Sequence, residues 1–275
     1  MGAELTQAEA SHASASPPET GQTAPAAIPL ASTMVELRSS GALYWPDRSL
    51  LCVADLHLGR AERLARAAGD LLPHYESTDT LDRLEAEVVR LAPRLVVGLG
   101  DCFDDLDAVR GLAEEVVLRI GRLAAGRRWI WVAGTHDPGP VELPGTRLAE
   151  LRLGLLNFRD VALPRLGSGG GEVSAHFHPM ARLTRDGARF TLRCFLIDGR
   201  RAVLPAFGSH SGGVDARDPA FDPLLEPDAQ AFVIGNRITA VPRNRLSLWQ
   251  QSLNPRTRTT GHGSTTLLPG STSWT

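Results

Sequence analysis

No lysine occurs among the 275 residues; all 29 basic side chains are arginine. That absence excludes Schiff-base catalysis and a Walker A phosphate loop, because both need a lysine amine. Codon bias from a GC-rich genome accounts for it, together with the abundant Ala, Gly, Arg and Pro. Cysteine is also scarce. Cys52, Cys102 and Cys194 are odd in number, widely spaced, and set in or beside apolar runs. Free buried thiols in a reducing compartment are expected, rather than a disulfide framework. No run of 18 apolar residues exists, so no membrane-spanning helix and no membrane partner are expected. The first residues lack the basic and apolar regions of a secretory signal, and a cytoplasmic protein is expected. Net charge is −2, which gives no bulk attraction to nucleic acid and leaves room for a local basic patch.

A hydrophobic content of 43% and a charged content of 22% match a globular domain with a sizeable core. Residues 1–32, rich in Ala, Ser, Thr, Pro and Glu, read as a disordered tail, and the biased segment 247–275 reads likewise. The folded domain is expected over 33–246. ALYW (42–45) and LLCVA (50–54) predict two strands around Pro46-Asp47-Arg48. Leu81, Leu84, Val88 and Leu91 recur at helical spacing within 76–92, with Ser77 or Thr78 as cap. RLVVGLG (94–100) predicts a buried strand and RRWIWVAG (127–134) another. Between them, Leu106 to Ala124 predicts one helix, with Val109, Leu112, Val116, Val117 and Ile120 on a single face. Strand–helix alternation argues an α/β sheet. The second half, with EVSAHFH, RFTLRCFLID and RAVLPAFG, predicts consecutive strands with little helix, hence two packed sheets.

Ligands in such sheets bind beyond the carboxyl ends of strands. Asp55 and His57 follow LLCVA, Gly100-Asp101 follows LVVGL, Gly134-Thr135-His136-Asp137 follows WIWVA, and His176 and His178 follow GEVSA. One Asp after a strand caps a turn as readily as it binds a ligand. Four polar clusters, each directly after a strand and together holding four of eight histidines, are not explained as caps. Mixed carboxylates and imidazoles suit Zn²⁺, Mn²⁺ or Fe²⁺. Strand alternation would point Asp55 and His57 to one side, toward one ion. His176 and His178 repeat that spacing, and serve either one ion or two if the segment is a loop. The donor set is too rich for one tetrahedral site and favours two metals.

The order D-x-H, G-D, G-x-H-D, H-x-H resembles the calcineurin-like metallophosphoesterases. DLHLGR, GDCFDD, GTHDPGP, HFHPMARL, RCFLIDGRR and VLPAFGSHSGGVD are similar to the ligase-associated DNA damage response endonucleases of the PdeM type, over about residues 34–244. The resemblance implies a four-layer α/β/β/α sandwich of two mixed sheets flanked by helices. It implies two divalent ions, Mn²⁺ first, with Mg²⁺, Fe²⁺ or Zn²⁺ as alternatives. Asp55, His57, Asp101 and His178 would hold the first, and Asp101 would bridge to a second that also takes Thr135, Asp160 and His176. His136 would be the general acid or the transition-state stabiliser near the leaving oxygen, oriented by Asp137, while an activated water attacks phosphorus in line. Arg60 and His210 are candidates for contacting substrate phosphate.

Three positions depart from the family pattern. Thr135 stands where the family has an Asn ligand, Asp160 where it has a His, and Ala175 where it has a Gly. An anionic oxygen in place of imidazole tilts the second site toward Mn²⁺ or Mg²⁺. The expected function is a metal-dependent phosphodiesterase or DNA endonuclease in DNA repair. The alternatives are an impaired member that binds nucleic acid or partner proteins, and a small-nucleotide phosphodiesterase. The resemblance implies an ATP-dependent DNA ligase, a helicase and an exonuclease as partners, and DNA or another phosphodiester as substrate.

Overall fold

A computed structural model describes residues 24–60, 75–103, 106–135, 137, 142–185, 188–208 and 212–246. Two sheets pack face to face. The first has seven strands in the order β1 (Ala26–Leu30), β2 (Thr33–Leu37), β3 (Leu43–Trp45), β4 (Leu50–Ala54), β5 (Leu95–Leu99), β6 (Arg128–Val132) and β7 (Thr146–Leu148). The strands from β1 to β4 form an antiparallel meander, and β4 through β7 are parallel. The crossovers are α1 (Tyr75–Leu91) from β4 to β5, then α2 (Leu106–Arg110) and α3 (Glu114–Ala124) from β5 to β6.

The second sheet runs β15 (Ile238–Pro242), β14 (Gln230–Ile234), β12 (Ala188–Ile197), β13 (Arg201–Val203), β10 (Gly171–Ser174), β9 (Leu156–Phe158) and β8 (Leu151–Leu153). β11 (Met180–Arg185) pairs with β12 and extends it as a hairpin.

Period-two alternation builds the layers. Leu50, Cys52 and Ala54 of β4, Val97 and Leu99 of β5, and Ile130 and Val132 of β6 face inward. They meet Phe158, Val173, Phe195 and Leu204 of the second sheet. The alternate residues Leu51, Val53, Val96, Trp129 and Trp131 face outward and are covered by Leu81, Leu84 and Val88 of α1 and by Val116 and Ile120 of α3. Gly98 lets Trp131 lie across β5, since a methyl group there would stand 2.7 Å from its ring. The outer face of the second sheet packs on a 3-10 turn at Pro219–Phe221 and on Leu224 and Leu225. The α/β two-sheet architecture is as the sequence predicts. Among the described residues, however, the fourth layer is this turn and not an α-helix.

Two boundaries differ from expectation. β1 lies inside the segment 1–32 read as a tail. Ile28 and Leu30 alternate inward there and are buried, and the strand pairs with β2 through Ala26–Leu37 and Leu30–Thr33. Two apolar residues on one face add enough buried area to order a segment whose overall composition is polar. The helix expected from 106 to 124 is broken, because Gly111 closes α2 on Asp107 and Ala113 is extended (φ −58°, ψ 142°) before α3. The rest of the expected tails, residues 1–23 and 247–275, lies outside the described residues. All three cysteines are buried free thiols.

Candidate metal centre

The carboxyl ends of β4, β5 and β6 in one sheet and of β9 and β10 in the other converge. Backbone bonds keep the loops in step: His57 N donates to Asp101 O (3.1 Å), Leu58 N to Cys102 O (3.0 Å), and Ala175 N to Asp160 O (3.0 Å). The motif glycines have a steric purpose. Gly100 has φ +67°, and a methyl group there would collide with Asp160 Oδ1; one at Gly134 would collide with the Asp101 carboxylate. The two glycines let carboxylates approach backbone that any larger residue would displace.

Nine described residues other than glycine have left-handed φ, and five of them are Asp55, His57, Asp101, His176 and His178, with φ from 30° to 56°. That conformation costs an L-residue about 1–2 kcal/mol, so its concentration here points to function. It also replaces the reason given for Asp55 and His57 sharing a side. β4 ends at Ala54, and two left-handed residues, not strand alternation, bring the pair together.

Donor atoms of Asp55, His57 and His178 lie within 4.8 Å of one another, and so do those of Asp101, Asp160 and His176. His176 and His178 therefore belong to different groups, the option that the loop reading left open. The departure Asp160 falls inside the second group. Asp101 groups with Asp160 and His176, while its charge also acts on Asp55 and His178.

The first group has donor chemistry that could hold a cation. His178 Nδ1 lies 3.1 Å from the carbonyl oxygen of Gly212, which can only accept, so Nδ1 carries the proton. Nε2 faces Asp55 Oδ1 across 2.8 Å, an ion pair when the ring is protonated. Both atoms are buried and need a positive charge at that point, which a proton on Nε2 or a bound cation supplies. Without a cation, burial raises the Asp55 carboxyl, outweighing the favourable pull of His178 and His57. Burial pulls His178 down, yet the Asp55 carboxylate outweighs it and raises the imidazole.

In the second group, His176 Nδ1 is 3.6 Å from Asp160 Oδ2. Burial and then the charges of Asp55 and Asp101 push Asp160 up to about 7. Three buried carboxylates that repel one another, interleaved with three imidazoles, fit two divalent cations.

The other candidates take different places. Thr135 lies beside the second group: its N–H donates to Asp160 Oδ2 (3.2 Å) and its hydroxyl to Asp101 Oδ2 (3.3 Å). Those contacts orient two carboxylates. The carboxylate of Asp137 accepts from Gly134 N (2.8 Å) and Phe103 N (3.0 Å). It staples the loops after β5 and β6. Arg60 is half-buried and closes a turn through its N–H on His57 O (3.2 Å). His136 and His210 lie outside the described residues.

Glu172 was not foreseen. Fully buried on β10, it stands 3.0 Å from Arg201 and 3.1 Å from Arg159 and accepts from Leu163 N (3.2 Å). It thereby pins both flanks of Asp160. A charged residue opening an apolar strand run, GEVSA, was its one signal.

No protein-family profile matches the chain, and no curated protein sequence matches it. Among solved structures, the chain is similar to the Pseudomonas putida nuclease MPE at 22% identity and a TM-score of 0.62. The match covers 79% of this chain and 100% of that one. Yfce, a phosphoesterase from E. coli, matches at 16% identity over 66% of this chain and 87% of that one, with a TM-score of 0.34. By the first of these likenesses and its own paired sheets, the chain has the α/β fold of the metallophosphoesterases.

Proposed function

We propose that the protein is a metal-dependent phosphodiesterase that cleaves DNA. The observation that carries this reading is the pair of donor groups at the strand ends, each bringing carboxylate and imidazole atoms within 4.8 Å of one another. Asp55, His57 and His178 would hold one divalent cation, and Asp101, Asp160 and His176 the other. Two such cations acidify water and neutralise charge developing on a phosphoryl group. Mn²⁺ suits a site in which carboxylate oxygen replaces one imidazole.

The chain's own residues do the rest. Gly212 holds the proton on His178 Nδ1 and keeps Nε2 available as a donor. Thr135 fixes the Asp101 and Asp160 carboxylates. Asp137 locks the loop that carries His136, which on the sequence resemblance donates the proton to the leaving oxygen. The grouping of Asp160 with Asp101 and His176 supports a competent site over an impaired binding component.

DNA as substrate, and a repair role beside an ATP-dependent ligase, a helicase and an exonuclease, rest on the resemblance to the PdeM type, and a cytoplasmic location rests on the three free thiols. The test is hydrolysis of bis(p-nitrophenyl) phosphate with added Mn²⁺. Turnover that is abolished by Asp101→Asn and His136→Ala supports the reading. Absence of metal-stimulated turnover of any phosphoester overturns it.

A further inference from the structure

The two histidines of the segment 176–178 are held in different ways. The His178 ring is anchored through Nδ1 at the Gly212 carbonyl oxygen, 3.1 Å away. A ligating imidazole is ordinarily oriented by such a bond from its other ring nitrogen. The His176 ring makes no hydrogen bond to another described residue. Its Nδ1 is 3.6 Å from Asp160 Oδ2, beyond hydrogen-bond range, and its side chain is 33% exposed, so burial does not fix the ring either.

The backbone at His176 is itself unusual. Phe177 N donates to Ala175 O (2.6 Å), which closes a γ-turn centred on His176 with φ +56°. A γ-turn of that hand is rare and strained, and it persists only where its surroundings fix it. Phe177 meets those surroundings with both its backbone and its ring. Its carbonyl oxygen accepts from Val214 N (3.0 Å), and its side chain packs on the apolar layer outside the second sheet.

The Phe177 ring touches two others. One is the fully buried Phe221, with ring centroids 5.3 Å apart and planes at 61°. Phe221 closes the 3-10 turn that Asp218 caps through Ala220 N (2.9 Å). Arg243 lies 5.8 Å from the Phe221 ring centroid and donates to Ala216 O (2.7 Å) and Asp218 O (2.8 Å), so the base under Phe177 is tied on several sides. The other ring is His176, whose centroid is 5.2 Å away and whose plane stands at 79° to that of Phe177. Edge-to-face packing at this spacing is directional, so it sets a ring plane as well as a distance.

We propose that Phe177 is the positioning residue of the second metal group: its ring, braced by Phe221, holds the His176 imidazole in the orientation that ligates. The proposal rests on the metal-dependent reading above. A side chain that is already oriented loses less freedom when a cation binds, so the ring contributes to affinity at that group alone. The His178 group keeps its Gly212 anchor and does not need it.

The experiment is Mn²⁺ titration of the full chain by isothermal titration calorimetry, with bis(p-nitrophenyl) phosphate turnover measured in parallel. It compares the wild type with Phe177→Leu and Phe177→Tyr, and repeats the series in a His178→Ala background, where the His176 group is the one measured. Phe177→Leu fills the apolar space without a ring, and is expected to weaken one equivalent about tenfold in both backgrounds while the other is unchanged. Phe177→Tyr keeps the ring and is expected to bind as the wild type does. Should Phe177→Leu fail to melt cooperatively, Phe177→Met, which also lacks a ring, decides on the same expectation. Unchanged affinity in the ringless variant, equal weakening of both equivalents, a Tyr variant as weak as the Leu variant, or no Mn²⁺ binding by the wild type overturns the positioning role. Selective weakening in a protein that hydrolyses no phosphoester leaves that role standing and removes the phosphodiesterase reading.

Discussion

Asp55 Oδ1 and His178 Nε2 stand 2.8 Å apart in a buried setting. A protonated ring pairs the two in metal-free protein, and a divalent cation bound between them would take the place of that proton. Replacing Asp55 with Asn removes the anionic donor and the buried charge together. Metal-stimulated phosphodiester turnover is expected to fall about a hundredfold or more. The metal-free variant is expected to melt above the metal-free wild type, because burial opposes the Asp55 charge. A variant that melts lower and keeps its turnover contradicts this account.

The Asp160 carboxyl gives a pH signature in metal-free protein. Its pKa is raised from 3.8 to about 7, so the folded state holds this proton more tightly than the unfolded chain. The associated stability is complete below about pH 4 and is lost as pH rises through 7. Thermal melts without metal should show this decline across that window, and Asp160→Asn should flatten it. The melting shift produced by Mn²⁺ should grow over the same range, since the metal needs the ionised carboxylate.

Glu172 is a positioning residue whose loss should separate the two metal groups. Burial raises its carboxyl despite Arg201 and Arg159, as expected where desolvation competes with pairing. Glu172→Ala leaves Arg201 buried beside an empty position and is expected to cost about 3–5 kcal/mol in denaturant unfolding. It should weaken one metal equivalent and spare the other, because it pins Asp160 alone. Equal weakening of both would show that Glu172 supports the whole fold instead.

Gly134 offers a steric test of the same division. A methyl group there meets the backbone N and the carboxylate of Asp101. Gly134→Ala is expected to reduce metal-stimulated turnover by about two orders of magnitude, as ångström-scale displacement does in catalytic sites. Its melting temperature should change far less than that of Trp131→Ala, which empties a core position only 2% exposed at a cost of about 3–5 kcal/mol.

The strands that deliver the site were legible because each is an unbroken apolar run ending in a glycine or a carboxylate. LLCVA, LVVGL and WIWVA are buried along nearly their whole length, and their polar sequels stand at their ends. Pairing Asp160 with His176 was legible only through family resemblance, since β9 has three residues and no period to read. The break at Gly111 was hidden because Leu112 and Val116 both continue the apolar face across it. Asp137 is adjacent to His136 in sequence, whereas one of its two backbone bonds comes from Phe103, 34 residues earlier, and so is not legible locally.

The most direct test of two cation groups is metal stoichiometry. Purified wild type, His178→Ala and His176→Ala, equilibrated with Mn²⁺ and desalted, would be weighed by native mass spectrometry. The geometry predicts two equivalents in the wild type and one in each variant, with the remaining equivalent lost when the two substitutions are combined. A wild type that binds no metal, or variants that keep the full count, would contradict it.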